Sequence, residues 1–173
     1  MNQKPSTSSP FVDYLEQLAE KEDRGALAAL RRGLGRPPGT VAETFPYVVP
    51  HLPSKLSRDR ENDYYLVAAL FAYHPGPGGQ GNMGDHMAEA HSEANEEALD
   101  RRVTTLLAAH VDDLPYQLRQ AVSFLRSKDI PVNWDQLLRD LQGWDHPDRY
   151  VQRSWANAYW GARRHETEGT SKE

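Results

Sequence analysis

Apolar positions recur every three or four residues along most of the chain, which is the spacing of an amphipathic α-helix. Phe11, Leu15 and Leu18 form the first such stripe, and no stretch alternates between apolar and polar residues as a half-buried strand does. Asn133 stands where its side chain can cap a helix over residues 134–144. The pattern therefore predicts an all-α fold with about eight helices.

The clearest helical segment covers residues 58–73, and its part from 64 to 71 is apolar on nearly every side. A helix with that pattern belongs in the centre of a hydrophobic core. The last helix is expected to be capped by Asp145 or Asp148 and to end near Arg164.

Glycine and proline are concentrated in the middle of the chain. Seven of the eleven residues from 74 to 84 are Gly or Pro, which predicts a loop. We therefore expect two small helical bundles joined by a Gly/Pro-rich loop. In chain order we expect a disordered tail (1–10), an N-terminal helical subdomain (11–74), a Gly/Pro-rich and acidic connecting segment (75–92), a C-terminal helical subdomain (93–164) and a second disordered tail (165–173).

Composition excludes several classes of protein. The 173 residues include no cysteine, so neither a disulfide framework nor a thiolate metal site can form. No apolar run approaches the roughly 18–20 residues of a membrane span. The polar N-terminus also lacks the apolar core of a signal peptide. These features together predict a cytoplasmic protein.

Charge is distributed unevenly along the chain. The net charge of −5 argues against a protein that is basic overall, yet Arg outnumbers Lys by 15 to 5. Residues 101–164 hold 10 Lys and Arg against 7 Asp and Glu, whereas residues 1–100 hold 9 against 15. Screening limits electrostatic reach to about 8 Å at physiological salt, so phosphate binding depends on the local field. The basic second half is therefore compatible with nucleic-acid binding.

Helical phasing places several basic residues away from the apolar stripes. Arg119 and Arg126 fall about 20° apart on their helix. A second basic face on the last helix includes an aromatic residue, and its members are Arg149, Arg153, Trp160 and Arg164. Arg forms forked hydrogen bonds with phosphate and Trp can stack on a base, so these faces suit a nucleic-acid backbone. The alternative is a solvated face whose Arg side chains pair with nearby carboxylates.

Catalytic motifs are scarce. His86 and His91 lie five residues apart with Glu89 between them, which is not the H-E-x-x-H pattern of a zinc site. The Gly-rich residues 76–84 lack the Lys of a phosphate-binding loop, and no G-x-S-x-G sequence is present. We therefore expect no enzyme activity, no metal and no cofactor. A small metal-dependent enzyme that uses the two His and Glu89 is the alternative.

Several sequence segments occur in an order that is more specific than any one of them. They are GALAALRRGLG (25–35), YYLVAALFAYH (64–74), GNMGDHM (81–87), DRRVTTLLAAH (100–110), the V-x-W-x-x-L-L-x-D-L-x-x-W pattern (132–144) and VQRSWANAYW (151–160). Over residues 11–160 this order resembles the CasB family, the small subunit of the type I-E CRISPR Cascade surveillance complex.

The resemblance implies an all-helical, non-enzymatic subunit of an antiviral ribonucleoprotein. It implies contacts with the backbone and large subunits of Cascade, with a second copy of the chain, and with crRNA and target DNA inside the complex. Basic residues would there stabilise the R-loop by contacting the target and displaced DNA strands. The positions that match the family are Arg31, Arg32, Arg101, Arg102 and Arg119. The helical faces add Arg126, Lys128, Arg149 and Arg153 to the predicted nucleic-acid-binding residues.

The long acidic stretch that begins at Asp85 departs from the family pattern. It predicts that DNA binding requires the assembled complex. A different class of function stays open beside this one, namely a helical adaptor that contacts only protein through Trp160 and the acidic face.

Overall fold

The computed structural model describes the backbone of residues 8–76 and 78–170, and the side chains among them up to residue 163. These residues form nine α-helices and no strand, so the predicted all-α fold is confirmed. The chain divides into two compact units, Met1–Pro77 and Gly78–Glu173. Within the described ranges, no helix is both long and apolar enough to cross a membrane.

The first unit is built around a central helix, α4. Its helices are Pro10–Glu20 (α1), Arg24–Arg31 (α2), Phe45–Val48 (α3) and Arg58–Tyr73 (α4), and the 3₁₀ turns Ala42–Thr44 and Val49–His51 flank α3. Helix α2 packs along α4, α1 contacts α2, and α3 contacts α4. Ser9, Asp23 and Ser57 cap α1, α2 and α4 by accepting hydrogen bonds from N–H groups of the first turn. The predicted bounds of α4 are confirmed, and residues from Val67 to Ala72 are buried.

The second unit contains five helices. They are Met83–Glu89 (α5), Glu96–Ala108 (α6), Leu114–Ser127 (α7), Trp134–Gln142 (α8) and Tyr150–Thr170 (α9). Helix α5 packs along α9 and also contacts α6 and α7, while α6 contacts α7 and α9. The core is rich in aromatic side chains, since Trp134, Trp144, Trp155 and Tyr159 are all buried. Most of the tryptophans therefore serve packing.

The predicted cap of α8 is present. The Asn133 side-chain oxygen accepts a hydrogen bond from the backbone N–H of Gln136 at 3.1 Å. The helix ends at Gln142, two residues before the predicted end. The predicted caps of the last helix are wrong, because α9 begins at Tyr150 and the residue before it is Arg149.

Helix α5 lies inside the segment 75–92 that was expected to be a connection. Asn82 and Asp85 form a reciprocal capping box that starts this helix. Gly84 lies in its first turn, and a β-carbon there would come 2.0 Å from the carbonyl oxygen of Trp155. The glycine that suggested a loop instead permits close contact between α5 and α9.

The ends of the chain also differ from expectation. Helix α9 continues to Thr170, so residues 165–170 are helical where a disordered tail was expected. The rest of that predicted tail, 171–173, and residues 1–7 of the N-terminal one lie outside the described residues.

Candidate nucleic-acid interface

All nine predicted nucleic-acid-binding residues are exposed. Two lie at the end of α2 in the first unit, namely Arg31 and Arg32. The other seven lie in the second unit and are Arg101, Arg102, Arg119, Arg126, Lys128, Arg149 and Arg153. All nine side chains are accessible to a phosphate. The contacts that each side chain already makes therefore decide whether it is available to bind one.

Two of these residues are held by carboxylates. Arg32 pairs with Glu43 at 3.2 Å, and Arg101 pairs with Glu97 one helical turn earlier at 3.0 Å. All four side chains are more than half exposed. Such surface ion pairs contribute about 0–1 kcal/mol, so either Arg can exchange its carboxylate for a phosphate at small cost.

Two other predicted residues meet at one aromatic ring. The guanidinium carbon of Arg102 on α6 lies 4.9 Å from the centroid of the Phe124 ring on α7. The ammonium nitrogen of Lys128, just after α7, lies 5.9 Å from the same centroid. Both distances are within the range of a cation–π interaction. The ring therefore brings together two cations that come from different elements.

Arg149 has a structural contact that the sequence did not suggest. Its Nη2 donates a hydrogen bond to the carbonyl oxygen of Leu107 at 2.6 Å, at the C-terminal end of α6. Cations are favourable at that end because the last carbonyl groups have no partner inside the helix. The backbone of Arg149 is in the left-handed region, with a φ of 50°. Arg149 therefore connects the start of α9 to the end of α6, and Arg153 lies one turn further along α9.

Arg119 and Arg126 both lie on the exposed side of α7, opposite its buried stripe. Seven residues of helix place them about 10 Å apart along its axis. This separation corresponds to about three nucleotides of one strand in B-form DNA.

An ion-pair network that the sequence analysis missed lies between α6 and α9. Arg163 donates to Glu96 at 3.0 Å and also to both carboxylate oxygens of Asp100. The Tyr159 hydroxyl donates to Asp100 at 2.8 Å. Hydrogen bonding by Arg163 lowers the pKa of Asp100. Part of the acidic stretch is thus neutralised inside the second unit, which composition alone does not reveal.

One of the residues considered for metal binding has a structural role. His86 is 2% exposed, and its Nε2 accepts a hydrogen bond from the backbone N–H of Asn133 at 3.0 Å. Burial lowers the pKa of His86 to about 4, so it is neutral near pH 7. Among the described residues, no group of three His, Cys, Asp or Glu could hold a metal ion. His86, Glu89 and His91 therefore do not assemble into a site.

The basic face predicted on α9 is present in part. Arg153 and Trp160 are exposed, and 37% of Trp160 is accessible. The ring of Trp160 packs edge-on against Tyr159, with centroids 4.9 Å apart. The face was also expected to include Arg149, which is exposed, and Arg164, whose side chain lies outside the described residues.

The fold and these surfaces define an all-helical protein with exposed basic residues in both units and, within its described part, no group of three His, Cys, Asp or Glu that could hold a metal ion. The family model for CRISPR-associated protein Cse2 matches residues 26–160. A curated protein from Thermus thermophilus, CRISPR-associated protein Cse2, is 36% identical over 161 residues, which cover 91% of this chain and 92% of that protein. The chain therefore belongs to the Cse2, or CasB, family, and the resemblance noted from its sequence is confirmed.

Solved structures agree with this assignment. A crystal structure of a Cse2-family protein from Thermus thermophilus has a TM-score of 0.79 and 34% sequence identity, and covers 88% of this chain and 99% of its own. A chain in a structure described as a CRISPR RNA-guided surveillance complex has a TM-score of 0.76 and 28% identity. That match covers 94% of this chain and 95% of the other.

Proposed function

We propose that this chain is the non-catalytic small subunit of a type I-E CRISPR Cascade ribonucleoprotein that acts in antiviral defence. The observation that carries the proposal is the two-way coverage of the surveillance-complex match, 94% of this chain and 95% of the other. The match is to a whole subunit rather than to a shared piece. The proposed location is the cytoplasm, where such a complex meets its target.

The subunit's proposed task is to stabilise the R-loop through its Arg-rich surfaces. In guide-directed recognition, base pairing reads the sequence while protein contacts the backbone and the displaced strand. Exchange of the DNA duplex for the RNA–DNA duplex is nearly balanced in free energy. A few Arg–phosphate contacts from residues such as Arg101 and Arg119 are therefore enough to shift that equilibrium. Their partners would be crRNA and target DNA, held among the backbone and large subunits and a second copy of this chain.

The proposal predicts that replacing Arg101 and Arg119 together with Ala weakens target binding by the reconstituted complex. Both side chains are exposed, so the subunit should still fold. We expect about a two- to thirtyfold loss of R-loop affinity at moderate salt, since each exposed ion contact contributes about 0.2–1 kcal/mol and about 1.4 kcal/mol corresponds to a tenfold change. The logarithm of the binding constant should also fall less steeply with the logarithm of the salt concentration, because each lost phosphate contact reduces the size of that slope by about 0.7–0.9.

A matched control replaces Arg24 and Arg58, which are exposed and outside the predicted set, with Ala. This variant makes the same change in net charge and should keep the affinity of the unmodified complex. The site assignment is overturned if the Arg101 and Arg119 variant binds target with unchanged affinity at both low and moderate salt.

The exposed Trp160 supports a second candidate function, a helical adaptor that contacts only protein. Aromatic side chains are enriched where proteins associate. Under this alternative, Trp160→Ala would weaken assembly, and no basic substitution would alter nucleic-acid retention by the complex.

A further inference from the structure

Arg102 and Lys128 approach the same side chain from two elements. Arg102 lies on α6, Phe124 lies on α7, and Lys128 follows α7 four residues after Phe124. Residues four apart lie on one helical face, which explains why Lys128 reaches the ring of its own helix. Arg102 reaches it because α6 packs against α7. The Phe124 ring is half-buried, whereas both cations are exposed.

No carboxylate neutralises this pair in the described part of the chain. Arg32, Arg101 and Arg163 each form ion pairs with Asp or Glu, but Arg102 and Lys128 form none there. An aromatic ring differs from a carboxylate because it attracts a cation without cancelling its charge. The ring can therefore hold both side chains while their positive charge stays available.

Holding the side chains in advance matters for binding. Lys and Arg lose rotamer freedom when a ligand immobilises them, and that loss subtracts from affinity. A ring that already restricts both cations reduces the loss. Both cations lie close to one ring centroid, at 4.9 and 5.9 Å, so both are placed to contact phosphates of one strand.

We infer that Phe124 is a positioning residue for nucleic-acid binding. Its ring holds Arg102 and Lys128 as a two-cation site for the phosphate backbone of the bound strand. The inference rests on the proposed function, because it assigns a residue to the nucleic-acid surface of the same subunit. Phe124 itself contacts the cations and not the phosphate.

The test uses the reconstituted complex and target DNA, with affinity measured at several salt concentrations. Phe124→Leu keeps an apolar side chain of similar size but removes the aromatic ring. We expect it to weaken R-loop binding about three- to tenfold, and Phe124→Tyr to restore most of the affinity because it restores the ring. The thermal midpoint of each isolated subunit verifies that the fold is retained.

A double-mutant cycle separates positioning from packing. In a background of Arg102→Ala and Lys128→Ala, Phe124→Leu should have no further effect, because no cation is left to position. An equal effect of Phe124→Leu in both backgrounds would show that the ring acts through the fold, and would overturn the inference.

The remaining outcomes distinguish this inference from the proposed function. If Arg102→Ala and Lys128→Ala weaken binding but Phe124→Leu does not, the positioning role is wrong and the proposed function stands. If the two cation substitutions change nothing while the Arg101 and Arg119 variant weakens binding, the site is wrong but the function stands. If both sets change nothing, the proposed nucleic-acid function fails as well.

Discussion

At the scale of single residues, His86 illustrates what a sequence conceals. Its position near Glu89 and His91 left a metal site open as an alternative, although the spacing did not favour one. In the fold, its Nε2 accepts a hydrogen bond from the backbone of Asn133, which is 47 residues away in sequence. Asn133 was correctly predicted as a helix cap, but nothing in the local pattern shows that its N–H faces His86. Side-chain roles that depend on distant backbone groups are not visible in spacing.

The buried His86 predicts a dependence of stability on pH. Its pKa is about 4 in the folded chain against 6.5 for an ordinary histidine, so the unfolded chain binds the proton more tightly. The contribution of His86 to the free energy of unfolding is therefore fully present above about pH 6.5 and decreases as the pH falls towards 4. The decrease amounts to about 3 kcal/mol, at 1.36 kcal/mol for each pKa unit.

Urea unfolding of the chain and of His86→Gln, at pH values from 7 to 4, measures this contribution. Carboxylates titrate in both proteins and cancel in the difference between them. We expect the advantage of the unmodified chain over the variant to shrink by about 3 kcal/mol across the range. A difference that is constant with pH would contradict the assignment.

At the scale of elements, helices with a clear apolar segment or stripe followed the hydrophobic pattern, and those without one did not. The pattern located α4 because its central part is apolar on nearly every side, and it located α7 and α8 because each has a continuous apolar stripe. Helix α5 has only seven residues and contains Gly84, so local propensity favoured a loop. Its helical state is supported by a capping box and by close packing on α9. The polar end of α9 likewise offers no stripe from which its length could be predicted.

The close contact between α5 and α9 predicts that Gly84→Ala is strongly destabilising. The added β-carbon would lie 2.0 Å from the carbonyl oxygen of Trp155, and a backbone group cannot move aside as a flexible side chain does. Overpacking of this kind costs typically 1–3 kcal/mol, and we expect a loss of about 3 kcal/mol.

Gly161→Ala on α9 provides the control for this substitution. Apart from the neighbouring backbone of α9, no atom of the described side chains or backbone lies within 4 Å of a β-carbon at Gly161. Helix propensity should therefore make the change neutral or stabilising by up to about 1 kcal/mol. Unfolding in urea compares the two variants. Equal stability of Gly84→Ala and the unmodified chain would show that α5 does not need its glycine.

At the scale of the whole molecule, charge counting located the basic residues but not their contacts. Segment counts, helical phasing and the family resemblance together selected nine cations, and all nine are exposed. They could not show that Arg149 binds the end of α6 or that Arg163 neutralises Glu96 and Asp100. These contacts join residues more than 40 positions apart. Counting charges along the sequence therefore overestimates the number of unpaired acidic and basic side chains in the folded protein.

The net charge of −5 predicts weak nucleic-acid binding by the isolated chain. Local cations must attract phosphate against an unfavourable overall field, and no neighbouring subunit holds the strand near them. We expect the isolated chain to bind a single strand of about 20 nucleotides with a Kd no tighter than about 1 μM at physiological salt, as in non-specific binding. Fluorescence anisotropy with a labelled strand measures this affinity.

Inside the complex the same contacts act on a strand that is already held. The effective concentration of the strand is then about millimolar, so weak contacts contribute to the R-loop without independent capture.

Replacing the exposed Glu89 and Glu93 with Gln tests whether the acidic stretch causes the weak nucleic-acid binding of the isolated chain. This variant should bind the labelled strand several-fold more tightly than the unmodified chain, because the repulsive field is smaller. Nanomolar binding by the isolated, unmodified chain would instead show that its basic surface captures nucleic acid alone, and that the acidic stretch does not set its dependence on the complex.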